Sequence, residues 1–188
     1  MKKIVLIFFI IINISCNNKN LSEKVDNNHM VSDKEIYTFL YVVLEKQPKS
    51  INKCNNEDVL DFIEHNNELK KMFSVKDLAF INKQIENEEK FEINSEYLTN
   101  YNIISEKTID KKFSDSKNMI SFWEEFEKEY GTQSYFSLSL PIFSLDKKTV
   151  IICTEVLHKG GFGASGTQVY RKINGKWKLY KNYSSSIS

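Results

Sequence analysis

The densest run of chemically suggestive residues is Gly160-Gly161-Phe162-Gly163-Ala164-Ser165-Gly166, which contains a literal GxGxxG. In a dinucleotide site that spacing works because a helix follows and its first amides hold the pyrophosphate. Here Thr167-Gln168-Val169-Tyr170 follows, a β-branched and aromatic run that reads as strand. No Gly-Lys-Ser/Thr accompanies it, so nucleotide binding is rejected and no cofactor is expected. The glycines predict instead a hairpin loop whose backbone needs positive φ or close approach. Exposed amides at Gly160, Gly161, Gly163, Ser165 and Gly166 would there form a nest for an anion or a peptide. Ser165 with His158 would give a nucleophile and a base only in a suitable turn. The segment from Gly163 to Thr167 lacks the closing glycine of GxSxG and the strand-to-helix elbow, and no acid is singled out to orient His158. His65 and Glu68 share a helical face beside Glu64, but two ligands do not make a metal site. His29 falls in a polar stretch and carries no argument. No catalytic or metal-binding set is assigned.

Three cysteines remain to be placed. Cys54 and Cys153 either pair or stay as separate buried thiols. Pairing would close a long loop and stabilise the fold by ~4–5 kcal/mol in the chain-entropy view, whereas a free thiol packs as a small hydrophobe. No CxxC occurs, which removes zinc ribbons and thioredoxin-like chemistry. Cys16 has a different setting. Lys2 and Lys3 precede nine unbroken apolar residues, Ile4 to Ile12, and then Asn13-Ile14-Ser15-Cys16. Nine residues cannot span a hydrocarbon core that needs about twenty, but they suit the central region of a secretory signal.

Ser15-Cys16 resembles the lipobox of bacterial lipoproteins, with Asn13 where a leucine is usual. The resemblance implies that residues 1–15 are a signal peptide and that Cys16 is lipidated as the new N-terminus. The formal charge then passes from +1 to −1 with the loss of Lys2 and Lys3. Residues 16–31 are polar and lack apolar periodicity, as a flexible tether would. The partner so implied is a membrane, inner or outer, with the folded part outside the cytoplasm.

The elements that must position everything else begin at Ser32. With 188 residues, 41% hydrophobic and 13% aromatic, the chain supports one core and is too apolar for disorder. Its 26 basic residues against 25 acidic ones include a single arginine, Arg171, which argues against a nucleic-acid partner. The 19 asparagines and many lysines fit an AT-rich coding bias, so such runs carry little functional meaning.

Ser32 and Glu35 form a capping box ahead of Ile36, Phe39, Leu40, Val43 and Leu44, one face of a helix that Pro48 ends. A second helical pattern runs over about residues 57–73, with Asn66-Asn67 as an interruption. Ser74 and Asp77 open a third, carrying Leu78, Ile81 and Ile85. Residues 88–116 show no sustained period. Met119, Trp123, Phe126 and Tyr130 define the last helix, and Gly131 suits its C-cap.

From Phe136 the period changes to two. Val150 to Cys153 is apolar on both faces, as in an interior strand. Asn174-Gly175 is a strong hairpin signal; it sets Lys172 opposite Trp177 and Tyr170 opposite Leu179, with Tyr170, Trp177 and Leu179 facing the core. Arg171 then lies opposite Lys178, mildly unfavourable unless solvated or met by an acid. The expected fold is α+β: N-terminal helices packed on one face of a C-terminal antiparallel β-meander, in one domain over residues 32–183.

Ser139-Leu140-Pro141-Ile142-Phe143, the strand through Ile152, the glycine loop and the ending Asn174-Gly175-Lys176-Trp177-Lys178-Leu179 resemble small uncharacterised lipoproteins of Bacteroidetes-type bacteria, with Asp77, Ile81 and Gln84 fitting loosely. The resemblance spans residues 74–180 and implies an envelope location and an α+β fold, with no activity attached. The leading expectation is therefore a lipid-anchored envelope protein that binds or interacts. The alternatives are a nuclear-transport-factor-like domain with a pocket for a small ligand or a hydrolytic reaction, and a periplasmic immunity protein that neutralises a toxin. Trp123, Phe126, Tyr130, Tyr170 and Trp177 are candidates to line a pocket between helix and sheet, although such residues usually make the core.

Overall fold

The computed structural model describes residues 31–56 and 59–187. Cys16, the leader and His29 lie outside the described residues. Helix α1 (Asp33–Leu44) starts at the expected capping box: Ser32 Oγ accepts from the Glu35 amide while the Glu35 carboxylate accepts from the Ser32 amide. Asn66 breaks the second pattern into α2 (Val59–His65) and α3 (Asn67–Lys70), because its side chain accepts from the Glu68 and Leu69 amides and starts a new helix. Ser74 and Asp77 cap α4 (Val75–Ile85) reciprocally. In the stretch without a period lie a 3-10 turn at Glu88–Lys90, a two-residue strand β2 (Asn102–Ile103) and helix α5 (Glu106–Asp115). Helix α6 (Met119–Tyr130) ends at Gly131 with φ 71°.

The class is α+β, and the sheet is mixed. Strands β3 (Ser134–Leu138), β5 (Thr149–His158), β6 (Gly163–Ile173) and β7 (Lys176–Ile187) run antiparallel, with β4 (Ile142–Phe143) also paired to β5. Strand β1 (Ser50–Lys53) enters parallel to both β2 and β3, giving the order β2-β1-β3-β5-β6-β7. Such a pairing needs a long crossover, which the helices after β1 supply. Four residues with one fully apolar side chain, Ile51, leave no period to read. Strand β7 also continues past Tyr183, pairing Ile187 with Gly163.

Register assigns the faces. Tyr135 opposes Leu157, and Phe136 opposes Val156, so the two pairs point to opposite sides of the sheet. Tyr135 and Leu157 pack on Phe122, Trp123 and Phe126 of α6 and Ile109 of α5. Phe136 and Val156 belong to the larger core. Phe143 and Tyr170 both oppose Val150, on the Val156 side, and there Phe39 of α1 meets them edge to face. Helices thus cover both faces, α1 on one and α6 on the other, as the two-sided apolarity of β5 requires.

The free edge of β4 is closed by a side chain. Gln84 Oε1 accepts from the Phe143 amide at 2.9 Å, and Gln84 Nε2 donates to the Phe143 carbonyl at 2.8 Å. One buried amide side chain so replaces a neighbouring strand. Nearby, Asp77 Oδ1 accepts from the Leu145 amide at 3.0 Å. Helix α4 is thus joined to the segment 143–145 by three hydrogen bonds.

The Asn174-Gly175 turn has φ 52° and 77°, both positive as a type I′ hairpin requires. The pairs Lys172 with Trp177, Arg171 with Lys178 and Tyr170 with Leu179 form as expected. Leu179, however, is half exposed rather than in the core. A register shift between Val169 and Tyr170 lets β7 bend there.

Candidate functional site

The residues singled out by type alone are engaged in structure. Gly163, Ser165 and Gly166 lie within β6, opposite Leu157, Glu155 and Thr154, and so are not part of a loop. A Cβ on Gly163 would collide with the Val156 carbonyl oxygen, so this glycine answers a close backbone approach. Only Gly160 (φ 97°) and Gly161 (φ 80°) turn the chain, and the Gly161 amide donates to the His158 carbonyl at 3.1 Å. The expected nest of five residues therefore does not form. His158 stands three positions along β5 from Glu155, the partner of Ser165, which separates the Ser165–His158 pair by ~10 Å and places the two on opposite faces.

His65 Nδ1 lies 3.1 Å from Asp61 Oδ1, and Glu68 pairs with Lys181, so the two turn to different partners. Among the described residues no group of three metal-ligating side chains occurs. The aromatic set divides between the faces. Phe126 meets Trp123 edge to face and Tyr130 at a tilt, while Tyr170 and Trp177 pack on Phe39. They fill cores and do not line one shared cavity.

Cys54 and Cys153 are separate thiols. The Cys54 amide bonds the Leu138 carbonyl, the Ser139 amide bonds the Cys153 carbonyl, and Cys54 Sγ lies 3.9 Å from that same Cys153 oxygen, but the two sulfurs are not bonded to each other. Burial, with the charges of nearby groups, pushes the Cys54 thiol up to about 12. The Cys153 thiol is raised by the same cause, against a hydrogen bond with Thr167. Neither is an activated nucleophile. Beside them Asn56 Nδ2 donates to the Leu140 carbonyl at 2.7 Å, and Glu88 Oε1 accepts from the Asn56 amide at 2.9 Å. Burial raises the Glu88 carboxyl above its ordinary value in spite of these bonds.

A different place has the geometry of a site. Between the start of α4, the β4–β5 turn and the end of β6 lies an open groove of about 590 Å³. Met72, Leu145 and Ile173 supply its apolar surface, and Lys76, Lys148, Arg171 and Lys172 its positive charge. The turn is closed by its own side chains: Ser144 Oγ donates to Asp146 Oδ1 at 2.7 Å and accepts from the Thr149 amide at 3.0 Å, while Lys147 takes φ 55°.

Its two acids are engaged. Asp77 binds Ser74 through Oδ2 and Leu145 through Oδ1. Burial works to raise that carboxyl, but these bonds outweigh it and hold it below the usual range. Asp146 accepts from the Lys148 amide at 3.0 Å, and Lys148 Nζ reaches Asp146 only at 3.8 Å. Arg171 forms no ion pair among the described residues. Its guanidinium sits 4.9 Å from the centre of the Tyr180 ring, and Tyr180 Oη lies 3.4 Å from Glu68. Lys172 rests over Trp177 at 5.2 Å.

Sequence reading did not assign this groove. Its one legible signal was the sole arginine facing Lys178 across a hairpin of known register. Lys76 and Lys148 are two among many lysines, and nothing in the sequence marks them. Comparison with protein-family models, curated proteins and solved structures finds no match to this chain.

Proposed function

We propose that the protein is a lipid-anchored lipoprotein of the cell envelope whose folded domain works by binding. The positive start, the nine-residue apolar run and the Ser15-Cys16 pair support removal of the leader and acylation of Cys16. Each buried CH₂ of the acyl chains contributes ~0.8 kcal/mol, so two or three chains hold the protein firmly. Residues 16–31 then tether a domain whose first helix starts at Asp33.

The binding role rests on one observation. The groove gathers four cations, and its two acids are taken up by local hydrogen bonds. The candidate nucleophiles point away from catalysis, since the Cys54 thiol is raised to about 12 and Ser165 stands far from His158.

Membrane fractionation and intact mass test the anchor. The wild-type protein is expected in the membrane fraction, with Met1–Ser15 removed and fatty acid added at Cys16. The Cys16→Ala chain is expected to lose the adduct. Wild-type protein that keeps Met1 and carries no adduct would overturn the reading.

A further inference from the structure

We propose that the groove recognises a small anion with an apolar body, an organic phosphate or carboxylate, through Arg171. This deepens the binding role proposed above and names the chemistry of its ligand. Across the β6–β7 ladder Arg171 faces Lys178, a like-charge pair with no acid set against it among the described residues. An oxyanion on Arg171 from the groove side offsets its charge against Lys178 and accepts the planar fork that lysine cannot offer. Tyr180 lies against the guanidinium and limits its freedom, which lowers the ordering cost of binding.

Lys148 and Lys76 bring further positive charge to the same groove, while Asp77 and Asp146 are held by backbone amides and serine hydroxyls. Leu145 and Ile173, both nearly half exposed, offer the ligand's apolar part a surface that nothing else in the described chain covers. The volume suits a small molecule. A bare inorganic ion would leave that apolar surface in water, which is why the ligand carries a body.

Calorimetric titration of the full chain in non-ionic detergent at low salt tests this. Phenyl phosphate and benzoate are the two anionic probes, benzyl alcohol is the neutral control, and inorganic phosphate is the control without a body. At least one anionic probe is expected to saturate a single site, and the tighter of the two assigns the head group. That probe binds at least tenfold more weakly to Arg171→Gln, and Arg171→Lys falls between this variant and wild type. Inorganic phosphate binds more weakly than phenyl phosphate, and benzyl alcohol does not saturate.

Melting curves establish that each variant is folded. If Arg171→Gln fails to fold, Lys148→Gln takes its place, with an expected loss of about threefold. The proposal is overturned if neither anion saturates, if benzyl alcohol binds equally well, or if the folded variants bind as wild type does. A failure here is distinguishable from a failure of the anchor, which is read by mass at Cys16.

Discussion

Two polar regions of the molecule are built from similar kinds of side chain and reach different states. Around Asn56, Glu88, Cys54 and Cys153 the groups are buried or nearly so, and the main polar links are made to backbone: Asn56 to Leu140, Glu88 to the Asn56 amide, Ser139 Oγ to the Cys153 amide. Around Arg171 the acids are likewise bound to backbone, and of the groove's four cations only Lys148 has a carboxylate within ion-pair distance, Asp146 at 3.8 Å. A buried polar group must be paired or neutral, because its desolvation is not repaid otherwise. An exposed cation has no such requirement and stays available to a ligand. Residue type alone misleads for this reason: the reactive-looking cysteines and glycines build the fold, and an ordinary-looking hairpin arginine is left for chemistry between molecules.

The largest expected effect is at the thiols. With the Cys54 thiol pushed up to about 12 by burial, its thiolate is scarce near pH 8. Iodoacetamide labelling followed by peptide mass spectrometry is expected to be at least tenfold slower in the folded protein than in urea. Comparable rates in the two states would contradict the inert character of these half-buried thiols.

The next effect is at the edge of β4. Gln84→Ala leaves the Phe143 amide and carbonyl buried without partners, which is expected to cost about 3 kcal/mol in urea unfolding. A loss below ~1 kcal/mol would show that water takes the place of the side chain.

Smaller, and signed, is the response of Glu88 to pH. Its folded value is raised above 4.5, so the folded state keeps a proton that the unfolded chain releases. Stability from this group is complete below pH 4.5 and is lost as pH rises through the folded value. Asp77, lowered from 3.8, acts in the opposite sense: its contribution is present above 3.8 and is lost as pH falls through its folded value. Subtracting the unfolding free energies of Glu88→Gln from those of wild type between pH 4 and 7 is expected to give a curve that falls with pH. A flat difference would place Glu88 in water.

Least of all is the effect of Arg171 on the fold. Because it loses both the repulsion from Lys178 and the contact with the Tyr180 ring, which oppose each other, Arg171→Gln is expected to leave unfolding within ~0.5 kcal/mol of wild type. A loss of 2 kcal/mol would mean that Arg171 is a structural residue after all.

Much of the helical half is legible because its signals are local. The Ser32 and Ser74 capping boxes, the Asn66 interruption and Gly131 each act within one turn of helix, and each appears where its residues place it. The β6–β7 register follows from Asn174-Gly175 in the same way. What escapes is non-local. Strand β1 is too short for a period, and its two partners come from segments about 50 and 85 residues further on. Gln84 reads as one polar residue in an amphipathic helix, and only the tertiary fold reveals it as the partner of an unpaired strand edge. The glycine run is legible as a need for small residues, but sequence does not tell a loop from a strand pressed against Val156. The groove joins three segments that are remote in the chain, so its lysines look like any others.

The most direct test of the contrast between the two regions is a backbone amide NMR spectrum recorded while phenyl phosphate is added. The account predicts saturable shifts gathered at Ser74–Asp77, Ser144–Thr149 and Arg171–Ile173, with the amides of Cys54, Asn56 and Cys153 unmoved. Shifts centred on Gly160–Phe162 or on the cysteine region, or no saturable shift at all, would contradict it.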